Sequence, residues 1–77
     1  MTDHAAYPRP IYEIRVQGHL DASYTRWLEG LSLYHDIVEG KPVTVLSGPL
    51  VDQAALYGVL NRLNAKGLVL LELLQLP

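Results

Sequence analysis

The sequence predicts an α+β domain built on an antiparallel sheet, and three observations carry that expectation. Residues 11–17 alternate apolar with polar side chains, the period of a strand with one buried face. Residues 31–38 and 42–47 are two strand-like arms around the compact connection Glu39-Gly40-Lys41. From about Pro49 or Asp52 to Lys66 the apolar positions repeat at helical spacing, and Gly67 is a stop signal.

Composition bounds the rest. The chain has 77 residues, 49% of them hydrophobic and 18% charged, which fits one globular domain and not a disordered segment. A net charge of -2 gives no basic excess to hold a phosphate backbone, so no nucleic-acid partner is expected. The absence of cysteine removes disulfides, thiolate metal sites and cysteine nucleophiles together. No apolar run approaches the ~20 residues that cross a bilayer, and Met1-Thr2-Asp3-His4 has no secretory character. A cytoplasmic protein with no membrane partner is the resulting expectation. A domain this small gains only a few kcal/mol from its core, so association or a metal is the usual supplement.

The elements follow in order. Residues 1–10 form a tail in which Pro8 and Pro10 favour extended backbone, and the single domain runs over 11–77. Tyr12, Ile14 and Val16 are the inward side of the first strand, which Gly18 ends. Asp21 or Ser23 caps a short helix whose face is Tyr24, Trp27, Leu28 and Leu31, with Trp27 as its core anchor. The hairpin arms come next. The long helix presents Leu56, Val59, Leu60 and Leu63 to the core, and Gly58 within it suggests close packing at that point, against a strand or a second subunit. The last strand, Leu68 to Leu76, is apolar on both sides. The order is that of a ferredoxin-like β-α-β-β-α-β sandwich, first helix short, with the helices on one face of an antiparallel sheet.

That arrangement leaves the second face open. It gathers Glu13, Arg15 and Gln17 from the first strand with Leu70, Glu72 and Leu74 from the last. Tyr34 and Val38, or Leu33 and Ile37, join them according to register. Glu13, Arg15, Gln17, Tyr34, Leu70, Glu72 and Leu74 are therefore the candidate interface or ligand residues. A mixed apolar patch of this kind marks an interaction surface, and charges inside it are expected to pair. A homo-oligomer, most simply a two-fold dimer, is the expected partner arrangement, with another protein as the second partner class.

Catalytic chemistry has little to stand on. His4, His19 and His35 show no ligand spacing, so convergence of His19 and His35 with Asp21 or Asp36 is the one route to a metal, and ordinary imidazoles are the stronger reading. Glu13 and Glu72 beside Arg15 could line a pocket with a general base, but a structural ion pair is the stronger reading. Ser47-Gly48-Pro49 reads as a helix start, because Pro49 lacks a donor and Asp52 already occupies the positive end. Trp27, Tyr24, Tyr34 and Tyr57 lack the basic neighbours of a nucleic-acid platform. No catalytic residue, metal or cofactor is assigned.

Residues 46–60, reading Leu-Ser-Gly-Pro-Leu-Val-Asp-Gln-Ala-Ala-Leu-Tyr-Gly-Val-Leu, resemble a block found in a family of short uncharacterised bacterial proteins. Residues 12–21 and the turn from Trp27 to Leu31 resemble that family's opening, so the likeness covers roughly 11–73. Tyr57 stands where a histidine is common. The resemblance implies a small bacterial protein and no activity. Gly18-His19-Leu20-Asp21 is also similar to the opening of anti-sigma-factor antagonist domains, which are longer and carry a phosphorylatable serine not found here. Two functions remain. One is a non-enzymatic self-associating module that binds a protein or ligand. The other is a small dimeric enzyme or ligand-binding protein with a pocket around Glu13, Arg15 and Glu72.

Overall fold

The computed structural model describes residues 11–28 and 30–76, without the side chains of Thr25 and Trp27. The tail at 1–10 and the anchoring role of Trp27 lie outside the described residues. Strand β1 spans Ile11–Gln17, β2 Ser32–Val38, β3 Lys41–Pro49 and β4 Leu70–Leu76, and helix α1 spans Gln53–Ala65. A 3₁₀ helix, Ala22–Trp27, lies between β1 and β2. The four strands form one sheet in the order β2-β3-β1-β4, antiparallel throughout. The first and last strands are thus neighbours.

The α+β class holds, and the two-helix sandwich does not. The expected first helix is a six-residue 3₁₀ segment, so α1 is the α-helix of the described residues and the ferredoxin-like β-α-β-β-α-β pattern is incomplete. The physical reason is length. Six residues amount to less than two α-helical turns, too few to offset nucleation, and Ser23, Tyr24 and Thr25 are weak helix formers.

Other boundaries shift for local reasons. Glu39 and Gly40 both have positive φ, 53° and 77°, the signature of a two-residue type I′ hairpin turn whose twist suits the strands. Lys41 consequently lies in β3, opposite Val38. Pro49 closes β3 and does not open the helix. Asp52 is the N-cap, its side chain accepting from the Ala55 N–H at 2.9 Å. At the other end Leu68 N–H reaches the Leu63 carbonyl at 3.1 Å and Gly67 N–H the Asn64 carbonyl at 2.9 Å. That double closure, with Gly67 at φ 76°, is a Schellman motif.

The core lies on the helix side of the sheet. Tyr12, Ile14 and Val16 pack there with Leu46, and Leu56, Val59 and Leu63 of α1 close over them. Leu28 and Leu31 seal the end near the 3₁₀ helix. Gly58 is not a point of close packing against a strand of its own chain, because a Cβ there meets nothing within 4 Å. Close approach occurs instead at Gly48, with φ 154°, where a Cβ would lie 3.2 Å from Leu31 Cδ2. No helix of the described residues is long and apolar enough to cross a membrane.

Candidate functional site: the open sheet face and the β4 edge

The face of the sheet away from α1 carries a cross-strand row. Tyr34 of β2 and Arg15 of β1 both oppose Val45 of β3, and Arg15 opposes Glu72 of β4. Val45, at the middle of this row, is fully buried. Arg15 reaches three carboxylates: Glu13 at 3.5 Å, Glu72 at 3.5 Å and Asp36 at 3.8 Å. One guanidinium thus faces three acids, and the cluster is net negative. The contacts are loose. Arg15 Nε is buried and donates no hydrogen bond, although Glu72 Oε1 lies within ion-pair distance of it.

Two shallow depressions flank this cluster. One, of about 240 Å³, is lined by Arg15, Val38, Val43, Leu71 and Glu72. The other, of about 330 Å³, shares Val38, Val43 and Leu71 and adds Gln17 and Lys41.

The structure therefore brings Glu13, Arg15, Gln17, Tyr34, Glu72 and Leu74 to one face and leaves Leu70 off it. The β1–β4 ladder shifts register between Arg15 and Val16, so that Glu72 opposes Arg15 while Leu70 opposes Val16. Leu71 is the extra residue of this β-bulge. Leu70 turns to the helix side, where it lines a hollow with Leu60, Leu63 and Leu68. Leu71 takes its place on the open face. Asp36 is the member sequence reasoning missed. The signal was available, since Asp36 shares the strand phase of Tyr34.

β4 lies at one edge of the sheet. Leu70, Leu71, Leu73, Leu74 and Leu76 are between 37% and 52% exposed, on both faces. At the opposite end of the sheet, His19 and His35 do converge, with ring centroids 4.3 Å apart and planes 12° from parallel. Each Nε2 faces a backbone carbonyl, His19 that of Asp36 at 3.0 Å and His35 that of Leu20 at 2.7 Å. A carbonyl only accepts, so both Nε2 atoms carry the proton. The pair fastens the Gly18–Leu20 crossing to β2. Among the described residues no three His, Cys, Asp or Glu side chains gather as metal ligands.

No curated protein and no solved structure matches the chain. One family model does, over residues 11–74, from the first residue of β1 into β4 and across the whole sheet. The chain belongs to that family, described as a domain of unknown function (DUF8691).

Proposed function

We propose that this protein is a non-enzymatic, self-associating module that acts through the open sheet face and the β4 edge. The observation that carries the reading is β4 itself, an edge strand whose five leucines stay substantially exposed in a chain that has no cysteine for a disulfide. Natural sheets guard their edges with charge, proline or a covering element. β4 has one charged residue, Glu72, held near Arg15. The resemblance at residues 46–60 and the lack of cysteine support reading it as a small bacterial, cytoplasmic protein.

Sedimentation at micromolar concentration tests the proposal, with a dimer expected. A sharply monomeric profile overturns it. A second reading, a ligand pocket on the same face, is favoured by the depression that Arg15 lines, by the one adjoining it, and by the Arg15 Nε, which donates no hydrogen bond. Arg15→Leu separates the two. As an interface or structural residue, Arg15 leaves three unopposed carboxylates when removed, and assembly or stability falls. As a ligand residue, its removal preserves the dimer and abolishes binding of a small molecule retained in native mass spectrometry.

A further inference from the structure

The hydrogen-bond phase of the sheet fixes which backbone groups of β4 face outward. Gln17 donates its N–H to the Val69 carbonyl at 2.9 Å, and Gly18 donates to the Pro42 carbonyl at 2.9 Å. Alternate residues of an antiparallel strand turn their backbone groups to opposite neighbours. Odd-numbered residues of β1 therefore face β4, and even-numbered ones face β3. Ile11 and Glu13 exchange bonds with Leu76 and Leu74, their ladder partners. The N–H and C=O groups of Leu73 and Gln75 are thereby directed away from the sheet.

From this we infer that two copies of the chain join β4 to β4 antiparallel about a two-fold axis, making one continuous eight-stranded sheet. The inference rests on the self-association reading and names its geometry. Leu73 exchanges hydrogen bonds with the partner's Gln75, and Gln75 with the partner's Leu73, so the outward groups of both residues are satisfied. Leu74 then faces its own copy on the open side, and Glu72 faces the partner's Leu76.

The neighbouring registers are disfavoured by chemistry. Centring on Glu72 opposes two carboxylates. Centring on Gln75 sets Leu73 against Pro77, which has no N–H to give. Centring on Leu73 engages Leu71, which the bulge displaces from the ladder. The second copy is the occupant that fits because β4 is self-complementary: Leu74 meets Leu74, Leu73 meets Gln75, Leu76 meets the lone Glu72, and no like charges meet. The other edge, β2, carries Ser32, Asp36 and the His19–His35 stack, polar features that deter such pairing.

The chain has no cysteine, so a single introduced thiol reports cleanly. The Leu74 pair falls between hydrogen-bonded pairs, where Cα atoms approach to ~4.5 Å, within disulfide reach. Under mild oxidation Leu74→Cys is expected to give a covalent dimer in near-complete yield, and Tyr34→Cys little. Gln75→Pro deletes an outward N–H without touching the β1 ladder. It is expected to weaken dimerisation at least about tenfold while circular dichroism stays unchanged. A sedimenting dimer that neither crosslinks through Leu74→Cys nor responds to Gln75→Pro overturns this geometry and leaves self-association standing. A monomer at every concentration overturns both.

Discussion

Thr44 engages both capacities of its hydroxyl inside the protein. Its Oγ1 donates to the Gly18 carbonyl at 2.7 Å and accepts from the Leu20 N–H at 2.8 Å, with the residue fully buried. Together with His35 on the Leu20 carbonyl it secures the chain as it leaves β1 and crosses toward β2. Replacing the hydroxyl with a methyl group leaves the buried Leu20 N–H and the part-buried Gly18 carbonyl without this partner. Thr44→Val is therefore expected to cost about 1–3 kcal/mol in denaturant unfolding, while Thr44→Ser keeps most of the stability. Equal midpoints for Thr44→Val and the parent protein would refute this role. The side chain is invisible to pattern reading, because a threonine in a β-rich stretch is what any strand contains. The histidine convergence was equally out of reach, since residues 19 and 35 meet only through the crossing itself.

At the scale of elements, α1 was the most legible. Its apolar stripe, its Asp52 cap and its Gly67 stop all lie where local chemistry puts them. Gly58 is the exception within it. With no neighbour near its missing Cβ, Gly58→Ala is expected to stabilise the fold by roughly 1 kcal/mol, read as a raised thermal midpoint. A destabilised Ala variant would mean that another surface packs on that point. The strands were legible in number, order and approximate bounds. The 3₁₀ segment was not, because over six residues the spacing of Tyr24, Trp27 and Leu28 suits a 3₁₀ or an α turn alike. The β4 bulge was not either. A period-two count propagates from one end of a strand, and a single inserted residue moves every position beyond it to the other face. That is why Leu70 was expected on the open face and Leu71 was found there. The candidate site was otherwise readable from phase alone, as Glu13, Arg15 and Gln17 must oppose Tyr12, Ile14 and Val16.

For the whole molecule, the two sides of the sheet are unequal. α1 and the 3₁₀ helix region complete a core on one side, and on the other a charged cluster sits among exposed apolar groups. If association is part of the stable state, unfolding is linked to it by mass action. The thermal midpoint is then expected to rise with protein concentration between about 1 and about 100 μM. A midpoint independent of concentration would place all of the stability within the single chain.

The adjacency of β1 and β4 also bears on synthesis. β1 emerges early from the ribosome, and the backbone groups it turns toward β4 have no ladder partner until nearly all of the described chain has followed. The β2–β3 hairpin and the Thr44 clamp can form before then, whereas the sheet's centre is completed only by a contact between distant segments. Such long-range closure is the slow step in folding and the interval of greatest exposure to aggregation. Nascent chains stalled before β4 should therefore hold a hairpin but an unfinished sheet.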